Sequence, residues 1–256
     1  MKNNILITAF LFLASSLLLG QNTLFQKKEF IHKGDTLRYR ILFPNHYDKS
    51  KSYPLVLFLH GSGERGNDNE KQLVHGASLF LDAINRAEYP SIVIFPQCPN
   101  EGSWVKIEEI EGNTFTFSNS KEPTKSLGLA YQLIKYYKKN EAVDSKRIYV
   151  LGLSLGGMGT YDIICRHPRT FAAAIPICGG VNLERLKSVR RLPIRIFHGA
   201  IDNSVSVEYS REAFIELKAK GSQLVEYKEY PGVNHNSWTN AFAEPDFLSW
   251  MFSKHK

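Results

Sequence analysis

The amino-acid sequence predicts an α/β fold: a single domain with a doubly wound, mostly parallel sheet and an antiparallel hairpin at its N-terminal end. Three observations carry this. Continuous apolar runs of strand length recur at residues 53–61, 91–96, 171–177 and 194–199, and such runs mark strands buried on both faces, as in parallel sheets. Segments with helical spacing lie between them, so strand and helix alternate over residues 54–252. The runs end at glycine or proline, and reactive side chains gather just past those ends, where an open α/β sheet places its working loops.

The chain starts with a segment that does not belong to this pattern. Lys2 precedes an apolar run from Ile5 to Gly20, and no acidic residue occurs before Glu29. A run of about 16 residues is short for a membrane span, so residues 1–20 read as a signal peptide and not as an anchor. A secreted or periplasmic protein is expected, with a mature chain from residue 21 and no membrane span in it. The roughly 236 residues that follow are enough for one domain with a sizeable core.

Composition is that of an ordinary globular chain, with 43% hydrophobic and 22% charged residues. The net charge is +7, but the basic residues are scattered apart from pairs such as Lys138-Lys139 and Arg190-Arg191. With no accompanying nucleic-acid motif, this charge reads as solvated surface and no nucleic-acid partner is expected. There are three cysteines, Cys98, Cys165 and Cys178. Cys98 and Cys178 both follow strand patterns, and a disulfide between them is the pairing considered, with Cys165 buried in a helix. No cysteine–histidine spacing suggests a metal site.

Taken in order, Phe25–Phe30 and Thr36–Phe43 alternate polar and apolar side chains around a turn at residues 32–35, a hairpin pattern. Tyr53–Leu59 is the first buried strand. It runs into His60-Gly61-Ser62-Gly63-Glu64-Arg65-Gly66, a loop whose glycines let the backbone turn sharply toward a ligand. His60 reads as a packing residue at the strand end. Residues 77–85 have helical spacing, and Ser91–Pro96 is the next strand. The stretch from Gln97 to Pro123 is too long for a plain connection. It contains Trp104, a candidate for the cleft wall or for packing beneath the loop, and an alternating segment at residues 113–117 that predicts a short strand or flap. Residues 124–140 carry a helical stripe of Leu127, Tyr131, Ile134 and Tyr137. Residues 183–191 read as helical or irregular. A helix is expected over 208–220, stopped by Gly221, and another over 245–252.

The chemistry is concentrated at three strand ends. Arg147–Leu151 is a short apolar strand that meets Gly152-Leu153-Ser154-Leu155-Gly156, followed by a helical pattern over 155–166. Gly-x-Ser-x-Gly in this setting is a nucleophile elbow, a tight strand-to-helix turn that holds a serine hydroxyl out of the sheet. Asp202 follows the strand 194–199, and His235 follows the strand 225–230. The order Ser154, Asp202, His235 is that of the α/β-hydrolase triad and differs from the orders of the two main serine protease folds. In these roles Ser154 attacks, His235 accepts its proton, and Asp202 holds the imidazole. His198 and His167 are the rival bases. The backbone N–H groups of Ser62 and Leu155 are the expected oxyanion donors. Trp238, three residues past His235, is a second candidate for the substrate site with Trp104.

Together, the loop at 59–66, the Pro96-Gln97-Cys98-Pro99 turn, Gly152-Leu153-Ser154-Leu155-Gly156-Gly157, Ile175-Pro176-Ile177-Cys178-Gly179-Gly180 and His198-Gly199-x-x-Asp202 resemble the α/β-hydrolase esterases often labelled predicted peptidases. These are similar to the phospholipase/carboxylesterase, polyhydroxybutyrate-depolymerase-like and feruloyl-esterase-like groups. The resemblance covers roughly residues 30–252. It implies a serine esterase that needs no cofactor and acts on a small-molecule or polysaccharide-linked ester, with feruloyl or acetyl-xylan esters foremost. Val205-Ser206-Val207 departs from the pattern, since many relatives have a proline in the middle. Two other readings stay open: a serine peptidase or aminoacyl hydrolase, and a non-catalytic binding protein on a hydrolase scaffold.

Overall fold

In the computed structural model, residues 24–111 and 114–256 are described; the predicted signal peptide lies outside them. Eight strands form the main sheet: β1 (Gln26–His32), β2 (Asp35–Leu42), β3 (Tyr53–Leu59), β4 (Ile92–Gln97), β7 (Val143–Leu153), β8 (Ala173–Ile177), β9 (Ile194–Gly199) and β10 (Val225–Tyr230). Their order is β1-β2-β4-β3-β7-β8-β9-β10. β1 pairs antiparallel with β2, and β2 antiparallel with β4; every later pairing is parallel. The remaining strands, β5 (Ile107–Glu111) and β6 (Thr114–Phe117), form a separate antiparallel ribbon.

Strand alternation divides the core between two faces. Leu55, Leu57 and Leu59 of β3 join one apolar cluster, and Val56 and Phe58 join the other. Three helices cover the first face: α3 (Lys125–Asn140), α4 (Leu155–Arg166) and α5 (Glu208–Ala219). The second is covered by α1 (Ala77–Leu81), α6 (Trp238–Phe242) and α7 (Phe247–Phe252). Every residue of β3 is buried, which is why its sequence shows no polar alternation. Among the described residues, no helix is long and apolar enough to cross a membrane.

The chain leaves β3 on one side to make β4, then crosses back to lay β7 on the other side. This reversal opens a crevice at the carboxyl ends of β3 and β7, where open α/β sheets bind their ligands. The loop at 60–66 and the elbow at Ser154 face each other across it.

Several sequence expectations are corrected. The helical stretch 77–85 is broken at Asp82, which adopts φ −57° and ψ 132° and caps a new helix, α2 (Ala83–Glu88), by accepting the Ile84 and Asn85 N–H groups. Such local side-chain bonding competes with helix continuation. The helix expected over 245–252 is present as α7 (Phe247–Phe252), and a short helix that the sequence reading missed, α6, precedes it. Cys98 and Cys178 do not pair; all three cysteines are free. Cys98 belongs to the core on one face of the sheet and Cys178 to the core on the other, so the sheet itself separates the thiols.

His60 is a packing residue, as expected, and it braces the loop beside the crevice. Its Nδ1–H donates to the Gly61 carbonyl at 2.6 Å, and its Nε2 accepts the Cys98 N–H at 3.0 Å. Burial pushes its pKa down to about 4, because a charged ring would lose its solvation there. The unfolded chain takes up this proton near pH 6.5 and the folded chain only near 4. Its contribution is therefore intact above about pH 6.5 and is lost as pH falls to about 4, by on the order of 3 kcal/mol. Urea unfolding at pH 7 and pH 4.5 should show a smaller acid-induced loss of stability for His60→Gln than for the wild type. Equal losses would contradict this assignment.

Candidate active site

Ser154 stands between β7 and α4 with φ +54° and ψ −120°, a conformation that side chains other than glycine rarely adopt. The packing around it explains why this strain persists. A Cβ on Gly152 would lie 2.3 Å from the Gly156 carbonyl oxygen, and one on Gly156 only 1.9 Å from the Leu59 oxygen. Strand and helix thus approach more closely than any side chain allows. The Ser154 N–H donates to the Ile177 oxygen at 2.9 Å, and its carbonyl accepts the Met158 N–H at 3.0 Å, opening α4.

The structure brings Ser154, Asp202 and His235 together. His235 Nδ1–H donates to Asp202 Oδ2 at 2.7 Å. Because a carboxylate accepts at Nδ1, Nε2 is left to accept, and the Ser154 hydroxyl donates to it at 2.9 Å. The two bonds have the geometry that an acyl-transfer triad requires. Asp202 is buried, with four donors on its carboxylate. Ser204 N–H and Val205 N–H each donate to Oδ1 at 2.9 Å, while His235 and His198 approach Oδ2. Burial alone would raise its pKa, but hydrogen bonds from His198, His235, Val205 and Ser204 outweigh burial and hold the carboxyl well below the usual range. Asp202 therefore stays ionised through mild acid.

His198, a rival base by sequence, takes a different place. It is fully buried, and its Nε2 faces two acceptors, Asp202 Oδ2 at 3.2 Å and the Val205 carbonyl at 3.0 Å. Nε2 thus carries the proton, and Nδ1 accepts the Ser210 hydroxyl at 2.7 Å. Its second grip on Asp202 is legible only as the four-residue spacing His198–Asp202. His167, the other rival, stacks on Tyr131 with ring centroids 3.4 Å apart. Asp144, Asp162 and Asp246 are engaged elsewhere: Asp144 with Arg147, Asp162 with Arg166 and Arg185, Asp246 with Arg195.

Ser62 opens a short 3-10 turn, Ser62–Glu64, and Leu155 is the first residue of α4. At such positions the backbone N–H has no partner within its own helix. Both residues line a cleft of about 890 Å³ with Ser154 and His235. Its apolar wall comes from Val105, Ile107, Phe115, Met158 and Val205.

Trp104 does not line this cleft. It is fully buried, with its Nε1–H donating to the His60 carbonyl at 3.0 Å and its ring edge-on to His60. The chain turns it inward, where α4 comes close at Gly159, and its neighbours Ser103 and Val105 take the cleft positions. Trp238 lies beside the site but behind the histidine: its ring is edge-on to His235 at 5.5 Å and tilted against His75 at 5.1 Å.

Cys178, Asp202 and His235 offer donor atoms within 4.8 Å of one another. Asp202 and His235 are already committed to each other, and burial holds the Cys178 thiol well above its ordinary pKa. A protonated thiol is a poor metal ligand, so the set suits a hydrogen-bonded cluster better than a metal site.

Comparison with known proteins agrees with this fold. The phospholipase/carboxylesterase family of α/β hydrolases matches residues 46–248. Carboxylesterase SOBER1 of Arabidopsis thaliana is 26% identical over 194 residues, which cover 71% of this chain and 82% of that protein. The crystal structure of a thermostable esterase superposes with a TM-score of 0.83 at 33% identity over 92% of this chain, which spans 64% of that esterase's length. A CE1 ferulic acid esterase from Anaeromyces mucronatus, solved with ferulic acid, shares the fold, with a TM-score of 0.65 at 15% identity and 90% coverage of each chain. The chain belongs to the phospholipase/carboxylesterase family, as an α/β hydrolase of the serine carboxylesterase kind.

Proposed function

We propose that this protein is an exported carboxylic ester hydrolase that works through an acyl-enzyme on Ser154. The observation that carries the reading is the continuous hydrogen-bonded path from Ser154 Oγ through His235 to Asp202, at 2.9 and 2.7 Å. Ser154 Oγ attacks the ester carbonyl while its proton passes to His235 Nε2. The backbone N–H groups of Ser62 and Leu155 bind the resulting oxyanion, a contribution worth about 3 kcal/mol per donor in comparable sites. Collapse of the tetrahedral adduct breaks the C–O bond of the leaving group, which takes the proton from His235. Water then repeats the sequence, with His235 as base, and releases the carboxylic acid and free serine. Asp202, held by four donors, keeps the imidazole oriented and stabilises its protonated form.

The expected substrate is a small or polysaccharide-linked ester, of feruloyl or acetyl-xylan type. The size of the cleft and its apolar wall support the feruloyl reading, as does the shared fold with the Anaeromyces ferulic acid esterase. Export rests on the leader pattern of residues 1–20. The mature protein should release p-nitrophenol from acetyl and butyryl esters and hydrolyse methyl ferulate. Turnover of aminoacyl or peptide substrates with none of any ester would replace this reading with that of a peptidase.

A further inference from the structure

Part of the cleft wall is supplied from outside the main sheet. Ile107 of β5 and Phe115 of β6 line the cleft that holds Ser154. An isolated two-stranded ribbon is only marginally stable, so something must hold this one in place. The ribbon alternates: Ile107, Phe115 and Phe117 are half-buried against the core, and Glu108, Thr114 and Thr116 point to solvent. Its strongest attachment is Tyr209 on α5. The Tyr209 hydroxyl accepts the Phe115 N–H and donates to the Phe115 carbonyl at 3.0 Å. The Tyr209 ring also packs on Phe117, with centroids 5.4 Å apart. Asn182 donates to the Phe117 carbonyl at 3.2 Å, and Arg166 donates to the Ser120 and Lys121 carbonyls beyond. β6 is therefore pinned to the body of the enzyme, and β5 is positioned through its pairing with β6.

We propose that Tyr209 is a positioning residue that latches the β5–β6 ribbon over the cleft and thereby sets selectivity for bulky, apolar acyl groups over acetyl. This rests on the ester-hydrolase reading above. The physical reason is local. One hydroxyl satisfies both backbone groups of Phe115, so it fixes the depth at which the Phe115 ring and, through the ribbon, Ile107 stand in the cleft. Ile107 and Phe115 line the same cleft as Ser154, and an aromatic acyl group has far more apolar surface to bury against them than an acetyl group has. Tyr209 does not touch the reacting atoms.

The test is Tyr209→Phe, which keeps the ring and removes the hydroxyl, assayed on 4-nitrophenyl ferulate and 4-nitrophenyl acetate. The two esters share a leaving group. The ratio of kcat/KM for ferulate to that for acetate should fall about tenfold, mainly through KM for the ferulate. In a Phe115→Ala background, which itself lowers the ratio, the same change should alter it by less than it does in the wild type, because the Phe115 ring is gone and only Ile107 still depends on the latch. The next residue, Ser210, holds His198, so damage passed along α5 to the triad would slow both esters alike and leave the ratio unchanged. An unchanged ratio in an active enzyme overturns the latch and leaves the ester-hydrolase reading intact, as does a wild type that turns over the acetate but not the ferulate. A wild type inactive on both esters overturns both.

Discussion

Replacing Ser154 with alanine should lower kcat for ester hydrolysis by at least a thousandfold and up to about a millionfold, with the folded protein retained. The hydroxyl is the only atom removed, and it is the attacking atom in the proposed mechanism. Its loss leaves Ser62 and Leu155 N–H groups to polarise the carbonyl for direct attack by water, so a small residual rate over the uncatalysed reaction is expected. Alanine also gives up no favourable bond inside the elbow: the contacts that fix the turn are the backbone bonds to Ile177 and Met158, which do not involve the side chain. Thermal melting should be unchanged or slightly raised, since strained active-site residues commonly trade stability for activity. The check is steady-state hydrolysis of 4-nitrophenyl acetate beside a melting curve for both proteins. A variant with more than a tenth of the wild-type kcat would remove Ser154 from the mechanism.

Asp202→Asn should cost about ten-thousandfold in kcat. The carboxylate is an acceptor on all sides, facing His235 Nδ1–H, His198 Nε2 and the Ser204 and Val205 N–H groups. An asparagine presents an NH₂ to at least one of these donors. If that NH₂ faces His235, the ring is driven to the tautomer with its proton on Nε2, which cannot accept from Ser154. If it is turned the other way, it meets the Ser204 and Val205 N–H groups. Stability should also fall, since a buried donor loses its acceptor in either arrangement. The pH dependence carries a related expectation. A depressed carboxylate pKa contributes stability at and above the pH where an unfolded aspartate ionises, near 4, and loses it as pH falls through the lower folded-state value. The acid limb of kcat/KM in the wild type should therefore not come from Asp202. Activity profiles and urea midpoints from pH 4 to 8 for both proteins test this. An Asp202→Asn enzyme within tenfold of wild type would contradict the assignment.

Most of the sheet and the juxtaposition at its carboxyl edge are legible in the sequence, because the signals are local. Runs such as Tyr53–Leu59 and Ile194–Gly199 are apolar throughout since both of their faces are covered, and Gly152 and Gly156 are small since backbone passes within van der Waals range of each. The β5 strand is not legible: it stands apart from the main sheet, so no continuous apolar run marks it, and its partner β6 shows only a four-residue alternation. The break at Asp82 is likewise hidden inside helical spacing, because a capping side chain does not change the apolar period. Trp104 and the cysteines show a different limit. Position after a strand says that Trp104 and Cys98 are near the crevice, but not that the indole turns inward to His60, nor that Cys98 and Cys178 end on opposite faces of the sheet. His198 is intermediate. Its spacing to Asp202 is visible, but its grip on the carboxylate depends on Ser210, contributed by a helix that begins six residues beyond Asp202.

The proposed mechanism stands on Ser154 as its nucleophile. It is tested most directly by treating the protein with a fluorophosphonate and mapping the adduct by mass spectrometry. Ser62, Ser103, Ser126 and Ser204 share the same cleft, so the site of modification discriminates. One adduct per chain is expected, on the peptide containing Ser154, and none in His235→Ala, where no base takes the serine proton. An adduct on another cleft serine, or none on the wild type, would contradict it.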